Sequence, residues 1–191
     1  MNRQRRSLWR SVIAIVLYSF GLSIIDGAGS ASEEASMSVT LSSSAFTEGA
    51  PIPALHTCEG KEISPPFAWT DPPVDTKSLA LISDDPDAPG KTWVHWVLYN
   101  VPPSARMLPA GFPTTQELPD GTRQGMTDFG RTGYGGPCPP SGTHRYYFKL
   151  YALDTMLSLS SGATKAQVES AMHGHILAHA QLMGTYRRAG R

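Results

Sequence analysis

Short apolar runs separated by proline-containing turns make up most of this chain, from about residue 37 to residue 153. Some runs alternate apolar and polar residues with the two-residue period of a β-strand, and others are apolar on both faces. The pattern predicts strands at Met37–Leu41, Leu79–Ser83, Trp93–Val101 and Arg145–Leu153, with weaker candidates at Phe67–Trp69 and Arg123–Gly125. Pro-Pro pairs at 65–66, 72–73, 102–103 and 139–140 lie between the runs, and turns at this density are typical of a β architecture.

The two longest predicted strands differ in how many of their faces are apolar. Trp93–Val101 is apolar on both faces, which is typical of a central strand covered on both sides, and it carries His95 on the same face as Trp93 and Val97. In Arg145–Leu153 one face holds Tyr146, Phe148, Leu150 and Ala152, and the other holds Arg145, Tyr147, Lys149 and Tyr151. We expect the first of these faces in the core and the second partly exposed.

One stretch, Thr164 to Arg188, has helical spacing. It opens with Thr164 and Gln167 three residues apart, as in a capping box, and Val168, Met172, Ile176, Ala180 and Met183 then recur at helical intervals. We expect a helix over the whole stretch, packed against a sheet. Because no helical pattern separates the strands, the predicted fold is mainly β, an antiparallel sandwich with a C-terminal α-helix.

Residues 1–31 have the pattern of a secretory signal peptide. Arg3, Arg5, Arg6 and Arg10 precede an apolar run from Val12 to Ile25, and Gly29-Ser30-Ala31 offers a small-x-small cleavage site. The run is shorter than the ~20 apolar residues that span a bilayer. We expect cleavage after Ala31, which leaves one domain of residues 32–191 that is periplasmic or secreted. An uncleaved N-terminal anchor is the alternative.

The charge and the cysteines of residues 32–191 narrow the class of protein. Twelve basic and 15 acidic residues give a formal charge of −3, which argues against a nucleic-acid partner because such partners require a basic face. Cys58 and Cys138 are the two cysteines, and thiols in an oxidising compartment tend to pair. We therefore expect a Cys58–Cys138 disulfide, with two free buried thiols as the alternative.

Polar residues with useful chemistry lie at the ends of the predicted strands. Asp85 and Asp87 are two apart after one strand and would point the same way in an extended chain, His95 lies on the next strand, and His144 and Tyr146 form a second two-apart pair. Taken alone, each feature has an ordinary interpretation: the aspartates could form an acidic turn, and a histidine could simply be buried in the core. Together, beside the Gly/Pro-rich run of residues 133–140, they are typical of a small-ligand pocket on a β scaffold.

Four blocks of the sequence resemble, in order and spacing, the phosphatidylethanolamine-binding protein family. They are Asp85-Pro86-Asp87-Ala88-Pro89, Trp93-Val94-His95-Trp96, Gly133-Tyr134-Gly135-Gly136-Pro137-Cys138-Pro139-Pro140 and His144-Arg145-Tyr146. Thr127-Asp128-Phe129-Gly130 and Ser64-Pro65 are similar to the bacterial Raf kinase inhibitor-like branch of YbhB/YbcL type. The resemblance covers nearly all of residues 32–191 and implies a Greek-key-like β-sandwich with a small anion pocket.

The resemblance also implies a set of ligand-binding residues and a non-enzymatic role. The pocket would be formed by Asp85, His95, His144 and Tyr146, with Asp87, Tyr134, Pro139 and Pro140 shaping its wall. The implied partner is a small anion, either phosphate or a phospholipid head group, and no cofactor or metal is expected. Because a carboxylate repels a phosphate, we expect Asp85 to hold a histidine whose donor faces the ligand.

Two alternative functions remain open from the sequence. Asp85, Asp87, His95 and His144 could ligate a divalent metal for phosphoester hydrolysis, although no two-metal or HExxH signature is present. The second alternative is a secreted inhibitor or signalling modulator of a peptidase or kinase. The sequence is also compatible with a homodimer. His175 and His179 have the spacing of a helical metal clamp, but we interpret them as an ordinary helix face.

Overall fold

The computed structural model describes residues 38–190 and contains two antiparallel sheets, eight strands and one α-helix in that range. The strands are β1 Leu41–Ser42, β2 Phe67–Trp69, β3 Ser78–Asp85, β4 Trp93–Val101, β5 Met107–Leu108, β6 Arg123–Gln124, β7 His144–Leu153 and β8 Ile176–Tyr186, and the helix is α1 Lys165–Met172. One sheet has the order β1-β2-β5, and the other has the order β6-β4-β3-β7-β8. The expected mainly β, antiparallel sandwich is therefore confirmed.

The core has two layers, one on each face of the five-stranded sheet. Between the sheets, apolar side chains interlock around aromatic pairs such as Phe67 and Phe148, whose ring centroids are 4.7 Å apart. On the opposite face, residues of β3 and β4 pack under Val168 and Met172 of α1. The two central strands are thus covered on both sides, as expected for β4.

Most strand predictions agree with the structure. β2 and β4 have the predicted bounds, and β7 buries its even-numbered residues while its odd-numbered neighbours up to residue 151 stay partly exposed. β3 runs two residues beyond its predicted end, through Asp84 and Asp85. The first predicted strand is wrong in extent, because β1 begins only at Leu41, and Met37 lies outside the described residues.

The helix prediction is correct at its start and wrong in its length. Thr164 and Gln167 form the capping box, but α1 ends at Met172, and Gly174, with a φ of 81°, lies just beyond it. Residues 176–186 instead form β8, which pairs along β7. A four-residue interval such as Ile176 to Ala180 fits both a helix and a strand, so it could not distinguish them, whereas a glycine after the last helical turn is a common stop signal.

Within residues 38–190, no helix has the length and apolar character needed to cross a bilayer. The predicted signal peptide of residues 1–31 lies outside the described range.

The expected disulfide between Cys58 and Cys138 is confirmed. The two Cα atoms are 5.4 Å apart across a separation of 80 residues, and the Cys58 amide also donates to the Pro137 carbonyl at 3.1 Å. This link attaches the Gly/Pro-rich run before β7 to the turn around residue 58. It therefore limits the movement of the loop that carries Pro139 and Pro140.

Removing this disulfide should destabilise the fold. In the Cys58→Ser/Cys138→Ser double variant we expect the free energy of unfolding to fall by about 4 kcal/mol, because closing a loop of this length restricts the unfolded chain. Urea denaturation of the oxidised protein and the double variant measures the difference, and reduced protein is the matched control. Equal denaturation midpoints in all three samples would contradict the prediction.

Candidate functional site

A cavity of about 240 Å³, partly open to solvent, lies where one end of the five-stranded sheet meets two loops. Its walls combine four polar side chains with a larger apolar surface. The lining residues are Asp85, Ala88, Pro89, Trp93, His95, Phe129, Cys138, Pro139, Pro140, His144 and Tyr146. Six of the eight predicted ligand-binding residues are among them.

Antiparallel pairing explains why residues distant in sequence meet here. β3 lies between β4 and β7, so the end of β3 is adjacent to the start of both neighbours. Asp85 is the last residue of β3, His95 is the third of β4, and His144 is the first of β7. Tyr146, two residues after His144, lies on the same face of β7.

Asp85 connects the turn after β3 to the start of β7. It is only 3% exposed, and its Oδ1 accepts the amide hydrogen of Asp87 at 2.8 Å. Its Oδ2 lies 2.8 Å from Nδ1 of His144. Since a carboxylate only accepts, Nδ1 of His144 carries the hydrogen, and Nε2 is the ring atom left for a ligand.

His95 is held in a single orientation by the Gly135 carbonyl. Its Nδ1 lies 2.7 Å from that oxygen and must donate to it, because a carbonyl only accepts. Burial lowers the pKa of His95, although the Gly135 carbonyl and the charge of Asp85 oppose the shift. A neutral ring with its hydrogen on Nδ1 has an unprotonated Nε2, so His95 provides a hydrogen-bond acceptor.

Tyr146 contributes a buried hydroxyl that lies beside the Asp85 carboxylate; the residue is 1% exposed. Within residues 38–190 this hydroxyl interacts with Asp85, but the contact falls short of regular hydrogen-bond geometry. Burial, followed by the negative charge of Asp85 and the contact with its carboxylate, raises the pKa of Tyr146, so the phenol keeps its proton. A buried donor without a regular hydrogen bond is costly, and a ligand in this cavity could accept its hydrogen.

Aromatic residues and prolines form the remaining wall. The rings of Trp93 and Phe129 meet edge to face at 5.6 Å, and the Phe129 ring lies 5.3 Å from that of His95. A Cβ on Gly135 would lie 2.2 Å from Phe129 Cε2, so only glycine permits this approach. Pro139 and Pro140, which follow the disulfide-bonded Cys138, also line the cavity.

Two predicted site residues lie outside the lining. The expectation that Asp85 and Asp87 point the same way is wrong, because the chain turns at Pro86 and Asp87 instead binds Arg145 with both oxygens, at 2.7 and 2.9 Å. Tyr134 stands behind the wall, where its hydroxyl donates to the His56 carbonyl at 2.8 Å. Both residues support the site from outside the cavity.

The part of the chain that the structure describes contains no group of three or more His, Cys, Asp or Glu side chains arranged to hold a metal. The expectation that His175 and His179 share a helix face is wrong, because α1 ends at Met172, His175 precedes β8 and His179 lies on β8. His175 is paired with Asp154, with 2.7 Å between Nδ1 and Oδ1.

Several lining residues were not recognised as such from the sequence. Trp93 begins a strand that is apolar on both faces and so resembles a core residue, although its alternation with His95 places it on the same face. Phe129, Ala88 and Pro89 had no signal beyond their places in the family-like blocks. A loop side chain is directed by tertiary contacts, and for Phe129 one such contact is with Gly135.

The Asp87–Arg145 pair predicts a pH dependence of stability. The hydrogen bond from Arg145 lowers the pKa of Asp87 from 3.8 to about 2. Because the pKa of Asp87 is lower in the folded state than in the unfolded chain, the ionised carboxylate stabilises the fold at pH values above the unfolded-state pKa. This stabilisation is lost as the pH falls from about 4 towards 2.

Asp87→Asn should therefore be less stable than wild type by up to about 1 kcal/mol at pH 7, and the gap should close between pH 4 and pH 2. Denaturation midpoints at several pH values test this. Asp75→Asn is the control, because Asp75 is exposed and has no ion pair in the described structure. A gap that stays constant with pH would contradict the prediction.

Comparison with known proteins gives one consistent result. The phosphatidylethanolamine-binding protein family model matches residues 42–187. A UPF0098 protein of Methanothermobacter thermautotrophicus is 53% identical over 150 residues, covering 78% of this chain and 99% of that protein.

Two crystal structures have a similar fold and sequence. A putative phosphatidylethanolamine-binding protein homologue from Chlamydia trachomatis has a TM-score of 0.73 at 44% identity, covering 79% of this chain and 98% of its own. YbcL of E. coli, presented as a new member of the mammalian PEBP family, has a TM-score of 0.73 at 34% identity. The match covers 78% of this chain and 98% of the YbcL chain.

Proposed function

Because the chain belongs to the phosphatidylethanolamine-binding protein family, we propose that it binds a small anion, phosphate or a phospholipid head group, in the Asp85 cavity without turning it over. A binding role is common to the family. The observation that carries the proposal is that Asp85, His95, His144 and Tyr146, from three different strands, line one cavity of about 240 Å³. A volume of this size suits a small polar group rather than an extended molecule.

Two groups in the cavity can donate to an anion. The Tyr146 hydroxyl lies beside Asp85 but forms no hydrogen bond of regular geometry within residues 38–190, so its hydrogen can be donated to a ligand. His144 becomes a second donor when its Nε2 is protonated, because the Asp85 carboxylate at Nδ1 then balances the imidazolium charge. The carboxylate thus has an indirect role, which removes the apparent conflict between an aspartate and an anionic ligand.

Replacing Asp85 should weaken anion binding. In Asp85→Ala, His144 loses the partner of its Nδ1 and the turn loses the acceptor of the Asp87 amide, so we expect phosphate affinity to fall at least about tenfold. Isothermal titration calorimetry with inorganic phosphate gives the dissociation constants. His144→Ala should lose affinity to a similar extent.

Asp75→Ala is the matched control, since it removes an exposed aspartate from a turn outside the cavity lining. Its affinity should equal that of wild type. Unchanged phosphate affinity in Asp85→Ala, with the fold intact by circular dichroism, would overturn the role of this cavity.

Export is part of the same proposal. The Cys58–Cys138 disulfide supports it, because disulfides persist in oxidising compartments and are rare in the cytosol of most organisms. We expect the protein from the exported fraction of its own cells to begin at Ser32, with a mass reduced by residues 1–31. Intact-mass measurement after fractionation tests this, and a full-length chain in the cytosolic fraction would contradict it.

A further inference from the structure

We infer that the first part of β8, residues 176–182, is an interaction surface that pairs with the same stretch of a second copy of this chain. The pairing is antiparallel about a two-fold axis at His179, and it joins two five-stranded sheets edge to edge. The inference does not depend on the proposed anion-binding function. It follows from the backbone of β8, from its side chains and from the contrast with the other sheet edges.

The outer side of β8 is covered only towards its end. β8 is the last strand of its sheet and has β7 on one side. On the other side, the Gly49 amide donates to the Met183 carbonyl at 2.8 Å, and Thr185 exchanges hydrogen bonds of 2.7 and 3.0 Å with residues 50 and 52. Within the described range, no hydrogen bond reaches the outer edge of residues 176–182.

The open stretch presents backbone donors and acceptors in the order that a strand complements. In an antiparallel sheet, the amide and carbonyl groups of alternate residues point to the same edge. Met183 and Thr185 direct theirs outward, and the pairing of β8 with β7 has no register shift after Ala178. The backbone groups of Gln181 and His179 therefore point outward too, where another strand can bind them.

The open stretch also lacks most of the features that keep edge strands apart. Its sequence, Ile-Leu-Ala-His-Ala-Gln-Leu, contains no Lys, Arg, Asp, Glu or Pro. Its first two residues, Ile176 and Leu177, are apolar and 44% and 40% exposed. The other edge strands of the described sheets, β1, β5 and β6, have only two residues each, which leaves little edge to pair. A long, uncharged and partly apolar edge is the kind that pairs with another chain.

The position of the open stretch favours a second copy as the occupant. The stretch runs from residue 176, where β8 begins, to residue 182, where the cover by residues 49–52 starts, so its midpoint is His179. Antiparallel pairing about a two-fold axis there aligns the whole open stretch of one protomer with that of its partner. Leu177 then lies opposite Gln181 of the other copy, and no Lys, Arg, Asp or Glu side chain of either stretch meets a like charge. Any other register leaves part of the edge unpaired.

The dimer leaves the Asp85 cavity open. His144, which lines that cavity, pairs with Tyr186 at the far end of β8. Pairing at residues 176–182 therefore does not cover the cavity in either protomer. One strand pair of this length makes a small interface, so we expect a dimer that dissociates on dilution.

The first test uses unmodified protein as its own cells produce it. In sedimentation velocity from about 1 µM to about 1 mM, a range that spans the dissociation constants of small interfaces, the mass should rise from monomer to dimer. Hydrogen exchange at the two ends of this range should show several-fold slower exchange of the His179 and Gln181 amides in the dimer.

Three results would overturn the inference. One is a monomer at every concentration whose His179 and Gln181 amides exchange freely. Another is a monomer in which these amides are already protected, which would identify another segment of this chain as the cover. The third is a dimer in which they exchange as fast as in the monomer, which would place the interface on a different surface.

A charge-swap experiment tests the register. His179→Lys and His179→Glu each place like charges opposite one another at the two-fold axis, so each variant alone should dimerise at least several-fold more weakly than wild type. An equimolar mixture of the two places opposite charges there, and native mass spectrometry should detect the heterodimer. Val74→Lys is the control: it adds the same charge at a side chain that is 93% exposed and lies outside β8, and it should dimerise as wild type does.

Circular dichroism confirms that each variant folds. If either single variant dimerises as tightly as wild type, or if the mixture forms no heterodimer while wild type dimerises, His179 does not lie opposite itself and the inferred pairing is overturned.

Discussion

The buried carboxylate of Asp85 is the constraint on which the functional site depends. A charge removed from water needs hydrogen bonds to both of its oxygens, or its burial would destabilise the fold. Here the Asp87 amide satisfies one oxygen and His144 satisfies the other, at 2.8 Å each. The same two contacts fix the turn after β3 and the first residue of β7, so the acid is stabilised only when the cavity is assembled.

The preceding residue, Asp84, has a corresponding role on the opposite face of the sheet. Successive strand residues point to opposite sides, and Asp84 is met there by Lys149 of β7 at 2.9 Å and Lys165 of α1 at 2.5 Å. Asp84 thus helps to hold α1 against the sheet, while Asp85 organises the cavity. Two adjacent aspartates at the end of one strand connect the helix, the sheet and the site.

The cavity combines apolar walls with a few polar groups that each have a fixed hydrogen-bonding role. His95 and His144 are both oriented through Nδ1. The acceptor is a backbone carbonyl for His95 and a carboxylate for His144, so the two imidazoles have different electrostatic surroundings. The disulfide at Cys138 and the two prolines after it restrict the loop that also lines the cavity. Such preorganisation favours recognition of one small polar group, because little ordering remains to be done on binding.

The amino-acid sequence by itself determined β7, because burial of one face of a sheet imposes a two-residue period that is readable locally. It also determined β4, because an apolar run bounded by turns is typical of a strand covered on both faces. It also determined the helix start, through a cap made by neighbouring residues, and its family-like blocks identified the polar residues that line the cavity.

Only the tertiary structure decided that residues 176–186 form a strand, because an interval of four residues is common to both periods and pairing with β7 selects between them. It likewise decided that Asp85 faces the cavity while Asp87 turns away to Arg145. The partners that direct those side chains come from segments more than fifty residues away, so no local pattern contains the information.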